Sequence, residues 1–263
     1  MQTKQAISFV TGLVILFSIY HYPEFNPLFW VMAVFKIGFI VAAFIVARVQ
    51  GWKGLGGFGL ALQKPAASDL LKGLGAGLLL FTVSLLIAIL AGFEQYIGMA
   101  SGEQVLKNLP MLLLMTAIPS IDEDILTRGY LWGHLSNWLP KWGWIIISAA
   151  AFLLNHIWRL NDGPAVLVYI FLMGLTLAYT VWQTRSLWLA FGIHWGSNLA
   201  FESSNAFLLT KSIVTHNGGT WVLAGCWAVA LFTVILFVKE RKREKRLINH
   251  SCIYRKSRFH FYF

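Results

Sequence analysis

The chain has 263 residues, of which 57% are hydrophobic and only 12% charged, whereas about a quarter of an ordinary soluble domain is charged. That balance excludes a soluble globule and points to an all-α, polytopic transmembrane helical bundle, because a bilayer core about 30 Å thick takes roughly 20 apolar residues per spanning helix. Most of the net charge of +10 lies between Lys239 and Arg258, behind the last apolar run, where a basic cluster suits anionic lipid headgroups and argues against nucleic-acid binding.

In chain order, apolar runs between charged or Pro/Gly breaks predict eight spans near residues 6–21, 27–47, 72–92, 108–137, 142–158, 164–182, 187–202 and 220–238. The first run ends at Tyr20, His21, Tyr22 and Pro23 without a small-residue cleavage site, so it reads as a retained span. The linker from Arg48 to Lys72 is basic, and its Gly56, Gly57 and Gly59 have no preceding strand, which makes them a flexible interfacial bend and not a dinucleotide fingerprint. Gly73 and Gly77 form a G-x-x-x-G step in the third span that admits a close neighbour, expected within this chain more than from a second copy. Cys226 and Cys252 show no disulfide or zinc spacing.

With both termini cytoplasmic, the inner segments hold Lys4, the four basic residues of the linker, Lys141, Arg185 and the basic tail, while the outer loops hold Glu24, Glu94 with Glu103, Arg159 with Asp162, and Glu202 with Lys211. Lys and Arg concentrate on the inner side, as the positive-inside rule requires. The expected organisation is one transmembrane domain over 1–238, with its chemistry between 105 and 202, and a cytoplasmic polybasic tail over 239–263.

Charges at the centre of a span cost about 2.5 to 3.5 kcal/mol each on insertion scales, yet the fourth span carries Asp122, Glu123, Asp124 and Arg128. Asp124 and Arg128 are four apart and can pair on one helix face, with Glu123 about 100° away from it. Phe152 and His156 share a stripe of the fifth span, and His194 and Asn198 share one of the seventh. A rise of ~1.5 Å per residue puts Glu123, His156 and Asn198 roughly 20 Å from the inner ends, with His194 about 6 Å lower. A lone His or Asn in a span is ordinarily an interhelical hydrogen bond; their convergence with a buried acid at similar depth points to a site. His134 is expected at the interface, and His21, His216, His250 and His260 in loops or the tail.

Three motifs, E-D-I-L-T-R at Glu123 to Arg128, F-L-L-N-H at Phe152 to His156 and H-W-G-S-N at His194 to Asn198, resemble in kind and order those of the CAAX prenyl protease and bacteriocin-processing (CPBP, or Abi) family of intramembrane proteases. Asp124 stands where that family usually has Glu, and Thr127 where an aromatic is common; an Asp still reaches Arg128 at i+4. The resemblance implies that Glu123 and His156 activate a water for attack on a peptide carbonyl, that His194 and Asn198 stabilise the oxyanion, and that Asp124 and Arg128 support the helix. A buried acid and fixed donors in a low dielectric suit those roles.

The resulting expectation is an intramembrane endopeptidase in a prokaryotic plasma membrane, acting on a membrane-associated or lipidated CAAX-like peptide without a cofactor. One alternative binds zinc through Glu123, His156 and His194, although no H-E-x-x-H is present. Another is a non-catalytic scaffold or bacteriocin-immunity-type protein whose polar cluster only fixes helix packing.

Overall fold

The computed structural model describes residues 3–213 and 217–239. The basic run from residue 240 onward, with Cys252, His250 and His260, lies outside the described residues, as does His216. The lipid-binding tail expected from sequence therefore falls almost wholly outside them.

Eight long helices form the body: α1 (Thr3–Phe25), α2 (Phe29–Val49), α3 (Pro65–Leu90), α4 (Gly102–Asp124), α6 (Lys141–Asn155), α7 (Pro164–Thr184), α8 (Trp188–Phe207) and α9 (Gly218–Phe237). A π turn, Ile125–Gly129, joins α4 to the short α5 (Tyr130–Leu135), so one interrupted helix fills the predicted fourth span. Among the described residues five helices, α1, α2, α3, α7 and α9, are long and apolar enough to cross a membrane. Their outward surfaces carry large apolar side chains such as Val14, Trp30, Val41, Leu79, Leu86 and Phe232, the arrangement expected where lipid replaces water around a bundle. The protein is an integral membrane helical bundle.

The connectors gather at two opposite ends. At one, Gln50 Nε2 donates to Ser8 O (2.8 Å), Leu187 N to Gly59 O (2.9 Å), Lys141 Nζ to Gln183 Oε1 (3.3 Å) and Gln183 Nε2 to Val238 O (2.8 Å). At the other, β1 (Glu94–Met99) and β2 (Leu208–Ser212) form an antiparallel ribbon that sequence did not predict. The ribbon ties together two loops placed on the same outer side by charge. Beside it, α4 opens with a capping box: Ser101 Oγ accepts Gln104 N–H, and Gln104 Oε1 accepts Ser101 N–H, satisfying two otherwise orphaned donors.

The linker differs from the expected flexible bend. Leu55–Phe58 forms a 3-10 turn flanked by Gly54 and Gly59 at φ of 124° and 92°, backbone that L side chains avoid. These turns drive Phe58, fully buried, against Tyr130, while Gly59 O accepts Leu187 N–H and Ala61 O accepts Trp188 Nε1–H. The glycines thus lock the linker onto the N-terminal end of α8.

The packing of α3 on α8 sets the aim of the site. Gly73 and Gly77 face Gly192 and Gly196 of α8, a second G-x-x-x-G that sequence analysis passed over. A Cβ at Gly73 would stand 2.8 Å from Ile193 N and 2.9 Å from Gly192 Cα, and one at Gly192 would stand 2.9 Å from Gly73 Cα. The close neighbour expected for Gly73 and Gly77 is therefore this chain's own helix. His194 and Asn198 follow the α8 glycines by two residues, about 200° around the helix, so seating the glycines on α3 turns the polar pair toward α4.

Candidate active site

Glu123 is the penultimate residue of α4, 6% exposed, and three side chains converge on it. Asn155 Nδ2 donates to its Oε1 at 2.8 Å. His156 Nδ1 lies 3.4 Å from the same oxygen, and His194 Nε2 lies 3.6 Å from Oε2. The neighbouring Asp124, fully buried, accepts from His194 Nδ1 at 3.1 Å on Oδ1 and pairs through that atom with Arg128 Nη1. His194 therefore bridges the two acids, with one ring nitrogen on each.

The π turn explains part of this geometry. A π turn carries an extra residue per turn and leaves main-chain carbonyls to be satisfied from elsewhere. Thr127 Oγ1 donates to Glu123 O (2.7 Å), and Ser148 Oγ of α6 donates to Thr127 O (2.9 Å). The first bond closes the end of α4 on itself, and the second ties it to α6. Arg128 lies with its guanidinium 4.1 Å from the centre of the Phe152 ring, a cation–π contact in a dry setting. Thr127, where the resembled family commonly has an aromatic, thus caps the acid-bearing turn instead of filling space.

Helix α6 stops at Asn155, and His156 sits beyond it at φ −97°, ψ 37°, outside helical geometry. Its Nδ1 donates to Phe152 O at 2.8 Å. A carbonyl only accepts, so the proton is on Nδ1 and Nε2 carries the free lone pair. The His156 side chain is 23% exposed, against 2% for His194. Of the two imidazoles, His156 is the one that can meet a water.

The predicted residues therefore divide. Glu123, Asp124, Arg128, His156 and His194 come together; Asn198 is adjacent, donating from Nδ2 to Ser120 Oγ at 3.0 Å, one turn before Asp124. His194 meets the acid directly, and Asn198, one turn farther along α8, reaches Ser120. His21 is not in a loop: it lies within α1, 4% exposed, with Nδ1 donating to Phe17 O (3.0 Å) and Nε2 3.5 Å from Asn155 O. His134 is half-buried among the rings of Phe9, Trp52 and Tyr130, with Nε2 3.1 Å from Gln50 Oε1.

Sequence reasoning missed Asn155, although it immediately precedes His156. It also missed the wall supplied by α1 and α2, where Tyr20, 7% exposed, lies beside Asn155 and Glu123, and Lys36 reaches in from α2. A lysine inside an apolar span was a readable signal. On the α1 side, a pocket of about 320 Å³ lined by Leu13, Phe17, Leu126, Leu131 and Leu154 ends on Thr127 and Asn155.

As a zinc site the cluster fits poorly. Nδ1 of His156, the nitrogen facing Glu123, is committed to Phe152 O. Among the described residues no three His, Cys, Asp or Glu side chains are grouped to hold a metal ion.

Residues 105–200 match the family described as type II CAAX prenyl endopeptidase Rce1-like. The match spans less than half of the chain and contains all the residues of the three motifs. No curated protein matches the chain. The stretch that holds the cluster is thus similar to a family of CAAX-type intramembrane endopeptidases, the family that the motifs resemble.

Proposed function

We propose that this protein is an intramembrane endopeptidase that hydrolyses a peptide bond in a membrane-associated, lipidated CAAX-like peptide. The observation that carries the reading is Glu123: a buried carboxylate faced by two imidazoles and one amide, inside a bundle where acids are costly unless they have work or partners. Glu123, with the imidazole of His156 beside it, takes one proton of a water as the water oxygen attacks the scissile carbonyl. Asn155 holds the carboxylate in place. Asn198 supplies a donor to the oxyanion as charge develops there, and His194 joins it as the imidazolium, with Nδ1–H given to Asp124 and Nε2–H left for the oxyanion, where a low dielectric strengthens each hydrogen bond. Collapse of the tetrahedral intermediate returns the proton to the leaving amine. No metal or cofactor takes part, and the apolar pocket ending at Asn155 suits the hydrocarbon part of the substrate.

The test is cleavage of a panel of farnesylated and unmodified peptides by purified protein. Wild type is expected to cut the lipidated members, with activity surviving strong chelation, and Glu123→Ala and His156→Ala to lose it. Equal rates in wild type and Glu123→Ala would sink the proposal. A stably folded Glu123→Gln that loses cleavage alone argues against a scaffold whose polar cluster serves only packing.

A further inference from the structure

The connector between α6 and α7 has no part in the chemistry above, yet it starts at His156. The carbonyl of His156 accepts Arg159 N–H at 2.8 Å and closes the 3-10 turn Ile157–Arg159. Toward the π turn and the start of α6 the bundle is shut: Arg128, Tyr130, Trp132, Trp144 and Phe152 are at most 2% exposed. Toward the connector exposure rises, from 23% at the His156 side chain to 42% at that of Arg159. A peptide lying across Glu123 therefore leaves the site past this connector.

Arg159 is fixed there at two points. Its Nε donates to Asp162 Oδ2 at 2.9 Å, and its Nη1 donates to the Tyr169 hydroxyl at 2.6 Å. Tyr169 stands on α7, packs against the core, and lies where the charge of Glu123 reaches it. The pair with Asp162 would be enough to staple the loop; the bond to Tyr169 gives the guanidinium a direction. A guanidinium has five N–H donors in a planar fork that matches a carboxylate. Two are used here, and both N–H groups of Nη2 are left. One 3-10 turn advances about 6 Å, and the arginine side chain reaches beyond it, on the scale of the roughly 10 Å that three extended residues span.

We propose that Arg159 is a specificity-determining residue that binds the α-carboxylate of the substrate's C-terminal residue, about three residues past the scissile bond. This subsite rests on the peptidase reading and adds to it a required feature of the substrate, a free carboxyl terminus. The peptide lies with its hydrocarbon in the α1-side pocket that ends at Asn155, its scissile bond at Glu123 and His156, and its C-terminus on Arg159. A peptide ending in an amide offers the guanidinium no charge and is the poorer substrate.

The experiment uses two farnesylated peptides of one sequence, one ending in the free α-carboxylate and the other in the α-carboxamide. Wild type, Arg159→Gln and Arg159→Lys cleave each, with thermal unfolding of every preparation in detergent. Wild type is expected to favour the acid about 10- to 100-fold in kcat/KM, the range of a hydrogen bond to a charged group, with most of the difference in KM because the contact is made in the bound ground state. Arg159→Gln is expected to lose the preference, its kcat/KM on the acid falling to that on the amide. Arg159→Lys is expected to keep part of it, since an ammonium carries the charge without the fork. A loosened loop would slow both peptides alike and leave their ratio standing. Where Arg159→Gln does not fold, Arg159→Lys decides by whether the ratio narrows. A wild type that cleaves acid and amide equally, or a folded variant that keeps the full preference, overturns the subsite alone. A wild type that cleaves neither peptide overturns the peptidase reading and the subsite with it.

Discussion

Asn155 gives its side-chain amide to Glu123 Oε1 across 2.8 Å, and the helix that carries Asn155 ends at that residue. The bond joins α4 to α6 at the carboxylate and fixes which of its oxygens faces the imidazole of His156. Without it Glu123 can rotate between rotamers inside the site. Asn155→Ala is expected to lower kcat by about 10²-fold, at the lower end of what a positioned acid or base supplies, with a smaller effect on thermal stability. Steady-state kinetics with unfolding curves on the same preparations check this; an unchanged kcat refutes it.

His194 reaches Asp124 through Nδ1 and Glu123 through Nε2, so Asp124 governs the tautomer of His194 as well as the placement of Arg128. Asp124→Asn removes the charge that holds the Nδ1 proton and pairs Arg128. Removing one partner of a buried ion pair ordinarily costs about 3 to 5 kcal/mol. The expected result is a protein of much reduced stability and activity. Asp124→Glu, the residue usual in the resembled family, should keep the pair and retain activity. Thermal unfolding and cleavage rates of the two variants decide the point.

The helices that carry the site are the ones that apolarity recognises least. Glu123, Asp124, His194 and Asn198 lower the apolar character of α4 and α8, and α6 is cut short at Asn155 so that His156 can leave the helix. Their motif spacings nevertheless made the residues readable, because i and i+4 share a face whatever surrounds them. The π turn was not readable: nothing in Ile125 to Gly129 marks a wide turn, which exists because Thr127 and Ser148 satisfy the carbonyls it frees. Nor was the part played by Asn155, whose direction depends on where α6 stops. Pairing of Gly73 and Gly77 with Gly192 and Gly196 was half legible, as one stripe without its partner.

That pairing gives a contrast within a single helix. A Cβ at Gly77 would run into the backbone of Ile193 and Ser197, while one at Gly75 meets nothing within 4 Å. Gly77→Ala must push α8 away from α3, at about the 1 to 3 kcal/mol of an overpacked core, and it moves His194 with the helix. Gly75→Ala should leave stability unchanged or raise it, because Ala is the better helix former by about 1 kcal/mol. Thermal midpoints in detergent, lowered for Gly77→Ala and not for Gly75→Ala, are the expected outcome. Equal midpoints would show that the two helices are not in this contact.

Asn198 offers the sharpest check on the oxyanion assignment, because its amide is already occupied by Ser120 Oγ, which itself donates to Thr116 O at 2.7 Å. An oxyanion donor must have a proton free for the developing charge. The Asn198 amide carries two, and Ser120 takes one, which fixes the direction of the other. Ser120 thus orients the donor and is not itself a donor to substrate. Asn198→Ala is expected to reduce kcat by about 10²- to 10³-fold with little change in KM, the behaviour of a contact made only in the transition state. Ser120→Ala should cost less, because the amide survives with its direction relaxed. Combining the two should give no more than the Asn198→Ala loss, since Ser120 acts only through Asn198. Additive losses in kcat would mean that Ser120 has a separate role and that Asn198 belongs to helix packing instead of the oxyanion site.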